Sequence, residues 1–92
     1  MEENVRKELD TLETIVKNWK SSYQGLTTGE ENDEALIEDF NEEISTLHIY
    51  PFIYRLFEAG YITDIEALEF MNKCYGHLAS FIEEVKNGIN RR

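Results

Sequence analysis

Apolar side chains recur at Val5, Leu9, Leu12, Val16, Trp19, Tyr23 and Leu26, at spacings of 4, 3, 4, 3, 4 and 3 residues. Only a helix, turning about 100° per residue, gathers such a set onto one stripe. Near the other end Leu68, Met71, Tyr75, Leu78, Ile82, Val85 and Ile89 keep the same rhythm, and Phe70, Cys74 and Phe81 widen that stripe on one flank. Two long amphipathic helices are therefore expected, each burying its stripe against neighbours. On the outer face of the first, Glu3 with Lys7, Arg6 with Asp10 and Glu13 with Lys17 stand four apart with opposite charge. Each such pair adds a few tenths of a kcal/mol to a helix.

Gly25 and Gly29, flanking Thr27 and Thr28, are expected to end the first helix. The next should start where Thr28 or Asn32 can accept a free backbone N–H, Thr28 and Glu31 having capping-box spacing. Ile37, Phe40, Ile44 and Leu47 supply its apolar face. Pro51 has no amide hydrogen and disfavours helical geometry at Tyr50, so the spacing predicts a stop and a short restarted helix from Pro51 to Ala59, closed by Gly60. Thr63 and Glu66 form a second capping box with Ile62 before it, opening the last helix. Gly88 is expected to interrupt that helix near its end, where Lys86, Arg91 and Arg92 oppose the negative pole of its dipole. No strand-like alternation or internal repeat is present. The fold class expected is all-α: one domain over residues 1–92, a small antiparallel bundle of three main helices plus one short helix after Pro51.

The formal charge of −10 is unevenly placed. Residues 1–20 and 55–92 are each within one unit of neutrality, whereas residues 21–54 hold eight acids and no Lys or Arg. Glu31, Glu34, Glu38 and Glu42 align at helical spacing with Asp39 and Glu43 beside them, a band of like charge that suits a partner protein with a basic surface. Such an excess opposes direct nucleic-acid binding, which requires cations to displace counterions, and docking on anionic lipid. The longest uncharged run, Ile44 to Tyr54, is too short to span a bilayer. The start Met1-Glu2-Glu3 lacks a secretory signal's pattern, so a cytoplasmic location is expected.

From Leu47 to Ile62 the chain concentrates five of its eleven aromatic residues. Tyr50, Phe52, Ile53, Tyr54 and Phe57, with Arg55 among them, have the composition of an oligomer contact, and a homodimer is expected there.

Catalysis and cofactors are not expected. Cys74 and His77, three apart, and the more distant His48 make at most half a zinc motif. Ser45 and Cys74 stand where the Glu-x-x-His pairs of di-iron bundles need glutamate, and glycine-rich phosphate loops and serine elbows are absent. The Ala59-Gly60-Tyr61 turn resembles a helix-turn-helix corner, but Asp64, Glu66 and Glu69 follow it where base-reading cations or amides belong. No motif marks a family. The expected function is a small acidic regulator or adaptor that binds protein through the acidic helix and the aromatic interface. The alternative is a nucleic-acid mimic that inhibits a DNA- or RNA-binding protein.

Overall fold

The computed structural model describes residues 1–90. Helix α1 spans Glu3–Leu26, α2 Asp33–Glu42, α3 Ile49–Glu58 and α4 Asp64–Asn90, with a π-helical segment, Glu43–Leu47, between α2 and α3. Arg91, Arg92 and the side chain of Ile89 lie outside the described residues. Together α2, the π segment and α3 form one broken leg running antiparallel to its neighbours, so the bundle goes up, down and up. It is a rod of 48 × 19 × 18 Å. The first and last legs run parallel: Lys20 Nζ donates to Ser80 Oγ (3.0 Å) and Gln24 Nε2 to Glu84 Oε2 (2.6 Å), both sixty residues ahead.

On α1, Val5, Leu9 and Val16 are buried as their spacing predicts, Leu12, Trp19 and Tyr23 are half-buried, and Leu26 is left in solvent. The stripe of α4 is rotated from the expected one. Phe70, Met71, Cys74, Leu78, Phe81 and Val85 face the core, so the presumed flank is its centre, while Leu68 and Tyr75 are exposed. The upper half of the core is aromatic, with one ring from each leg. Tyr23 of α1 stacks on Phe40 of α2 at a centroid distance of 5.2 Å, and Phe81 of α4 meets Phe40 edge-on at 5.8 Å.

The start of the broken leg corrects the expected capping box. Thr28 and Glu31 do not cap α2, and the Asn32 side chain makes no capping bond. The Asp33 carboxylate, 2% exposed, instead accepts from the Thr28 amide (2.9 Å), the Thr28 hydroxyl (3.0 Å) and the Gly29 amide (2.7 Å). This ties the α1–α2 loop, in which Gly29 takes a φ of 77° open to glycine, onto the first turn of α2. These bonds, the Thr28 amide foremost, hold the Asp33 carboxyl below its ordinary range.

The chain does restart ahead of Pro51, but at Ile49, with Pro51 in the first turn where its missing N–H costs no bond. Pro51 cannot donate to the carbonyl of Leu47, and the turn before it widens: the His48 amide bonds to Glu43 O five residues back (3.1 Å), and His48 breaks the run at φ −128°. Helix α3 closes as expected at Gly60, φ 83°, with Gly60 N–H donating to Phe57 O and Tyr61 N–H to Leu56 O, both at 3.0 Å. The second capping box also forms. Thr63 N–H reaches Glu66 Oε1 (2.9 Å) and Glu66 N–H reaches Thr63 Oγ1 (3.1 Å), which lowers the Glu66 pKa. Gly88 does not interrupt α4, whose helix runs through it to Asn90.

Asp33 and Glu66 make the fold acid-sensitive. Their folded pKa values are depressed, so their stabilisation is complete above the unfolded values of about 4 and disappears as the pH falls through the folded ones. Urea midpoints should therefore drop between about pH 5 and pH 3, less steeply in Asp33→Asn. Equal drops in variant and parent contradict the role given to Asp33.

Candidate functional site

Once the core is closed, α3 still shows rings to solvent. Ile49 and Ile53 are its buried face, with Phe52 and Leu56 half-buried beside them. Tyr50, Tyr54 and Phe57, at i, i+4 and i+7, form the opposite edge and are 47%, 46% and 41% exposed. They contact one another: Tyr50 stacks on Tyr54 with centroids 6.0 Å apart, and Tyr54 tilts against Phe57 at 6.4 Å.

These rings are one wall of a groove of about 400 Å³. Ala67, Leu68, Met71 and Tyr75 of α4 form the other wall, and Ile53 lies along the floor. Leu68 is 62% exposed, too much for a residue that serves only the core. Asp64 and Asn72 are the polar members of the lining. At the upper end Ser45, placed by the π segment, donates to Asn41 Oδ1 (3.0 Å) and accepts from the Tyr75 hydroxyl (2.6 Å).

That hydrogen-bonded lip leads to the acids. Glu34, Glu38, Asn41 and Ser45 are spaced 4, 3 and 4 apart, one face of the leg, and that face is marked by the contacts of Ser45 with Asn41 and with Tyr75. Glu31, Glu34, Glu38, Asp39 and Glu42 are exposed and enter no ion pair among the described residues. Glu43 departs from this set, being half-buried and bonded to His48 Nδ1. The band also has two sides. Glu43, Asp39 and Glu42 lie near enough to Tyr23 that their fields, added to the larger effect of burial, push its phenol pKa up.

No protein-family model, curated protein or solved structure matches this chain.

Of the residues expected at an oligomer contact, Tyr50, Tyr54 and Phe57 line one open surface. Two depart from it. Ile53, 1% exposed, belongs to the core and shows only as the groove floor. Phe52 is half-buried on the far side, where it lines a shallow depression with Leu12, Trp19 and His48. Arg55 lies there too, its Nε folded back onto Pro51 O (3.3 Å), so it does not flank the groove.

The pair considered for zinc is divided between two environments. Cys74 is fully buried, and burial raises its thiol pKa to about 12. His77 Nε2 bonds Glu13 Oε2 (3.1 Å), the first cause of that carboxyl's lowered pKa. Among the described residues no three His, Cys, Asp or Glu side chains converge on a common point, and no helix is long and apolar enough to cross a membrane.

Leu68, Tyr75, Asn41 and Ser45 belong to the site yet were not legible as site residues. For the first two a signal existed. Ile65, Leu68 and Tyr75 make the apolar surface of α4 wider than one buried stripe requires.

Proposed function

We propose that this chain is a non-enzymatic protein-binding module, a regulator or adaptor of the cytoplasm, that engages its partner through the α3–α4 groove and the acids above it. One observation carries this reading: three contacting rings and Leu68 stay exposed over a preformed groove although the core is complete without them. Contiguous apolar surface rimmed by polar residues is what a docking site presents. The shifted titratable groups have other roles. Asp33 and Glu66 hold helix starts, Glu13 holds His77, Tyr23 packs on Phe40 and Phe81, and Cys74 is core. A phosphate mimic would use the acids alone and leave the groove without a role, which favours the module. The homodimer expected from the aromatic segment is the competing use of the same surface, since Tyr50, Tyr54 and Phe57 are the rings it has available.

The test is affinity capture from the source cells with wild type and with Tyr54→Ser/Leu68→Ser. Both positions are exposed, so the double variant should melt close to wild type by circular dichroism. A set of captured proteins lost from the variant supports a binding module. An identical set from both proteins removes the groove from the function.

A further inference from the structure

We infer that the groove receives a cationic amphipathic helix of a different protein, which lies along the broken leg with apolar side chains in the groove and Lys or Arg residues against Glu34 and Glu38. This rests on the protein-binding reading above and adds the partner's shape and charge.

The shape follows from the walls. The groove lies between two helices whose backbone groups are bonded within their own turns, so no sheet edge is offered to an extended peptide. Tyr50 to Phe57 covers eight residues of α3, about 10 Å or two turns, which matches a helix anchored at i, i+4 and i+7. A helix laid there would add a fourth member beside α3 and α4.

The charge follows from the lip. Asn41, Ser45 and Tyr75 join the groove to the face that carries Glu34 and Glu38, so a helix emerging from the groove upward meets those carboxylates next. Neither has an ion-pair partner among the described residues, and residues 21–54 contain no Lys or Arg. From Glu34 to Phe57 is roughly 30–35 Å along the leg, so an occupant that uses both chemistries needs about 20 or more helical residues.

A second copy fits less well. Two-fold pairing across the groove would be isologous, setting the same lining of each copy against the other. That lining holds rings but no Lys or Arg, and the pairing would join two chains each of formal charge −10.

The experiment is selection from a displayed library of helical peptides of about 24 residues, with surface positions varied among Leu, Gln, Lys and Glu, against the full chain. Enriched sequences should combine apolar residues spaced 4 and 3 apart with a cluster of Lys at one end. As a free peptide, the best binder should lose about tenfold or more in affinity against Tyr54→Ser or Leu68→Ser. Against Glu34→Gln/Glu38→Gln it should weaken several-fold and lose most of its salt dependence. Enrichment without Lys bias, or binding indifferent to both groove variants, overturns the inference. So does a dimer in sedimentation equilibrium that Tyr54→Ser dissociates. If cellular capture depends on the groove and the library yields no cationic helix, the module stands and the inference about its occupant falls.

Discussion

Phe40→Ala should lower the free energy of unfolding by about 3–5 kcal/mol, the range for emptying a buried phenylalanine site. Phe40 has no exposed surface and is the ring on which the other two legs converge, stacked by Tyr23 and met edge-on by Phe81. Its removal deletes the transfer term and two aromatic contacts, and leaves a cavity that three rigid helices cannot easily close. A domain of this length has roughly 5–13 kcal/mol in total, so the substitution takes a large share of it. In a urea titration the midpoint should move far down with little change in slope. Phe57→Ala, the same chemical change at an exposed site, should move it far less. Comparable shifts for the two would mean that the three-ring cluster does not hold the legs together.

Cys74 should react with thiol reagents about a thousandfold more slowly in the native protein than in the unfolded chain at about pH 8. The thiolate is the reacting species. With a pKa near 12, caused first by burial, only about one in ten thousand thiols is ionised at that pH, against roughly a quarter for an unperturbed cysteine near 8.5. Burial also shuts out the reagent, so labelling has to wait for the helices to open. The measured rate should therefore rise with urea in step with unfolding. It should also rise in Phe40→Ala, whose loss lies in the same core. A native rate close to that of the unfolded chain contradicts the placement of Cys74.

The helices were legible because their signals are local and repeated. The 4, 3 spacing marked α1 and α4, and Gly60 with the Thr63–Glu66 box set the turn between α3 and α4 within a residue or two. What was not legible depended on tertiary packing. Leu68 and Phe70 are equally apolar in sequence, and only the positions of the other legs decide that Phe70 is buried and Leu68 exposed. Asp33 reads as one acid among eight, yet the loop that doubles back onto it makes it a buried acceptor. Ile53 and Tyr54 are neighbours assigned to one interface from composition. Helical geometry turns them about 100° apart, one into the core and one into solvent. The π segment was foreshadowed only by Pro51, which announces a disturbance without specifying its form.

That segment also sets the phase between the two halves of the leg. Each residue of an α-helix turns the chain by about 100°, and a wider turn takes up a residue without that full rotation. The wider turn between Glu43 and Leu47 and the break at His48 together thus fix how the face of Glu34 and Glu38 is turned relative to the rings of Tyr50, Tyr54 and Phe57. Deleting one residue of that turn would leave every side chain of both surfaces present while swinging one set about a quarter-turn from the other. The angular match between charge and ring can thus be retuned by a change in chain length at one turn, with no substitution in either surface.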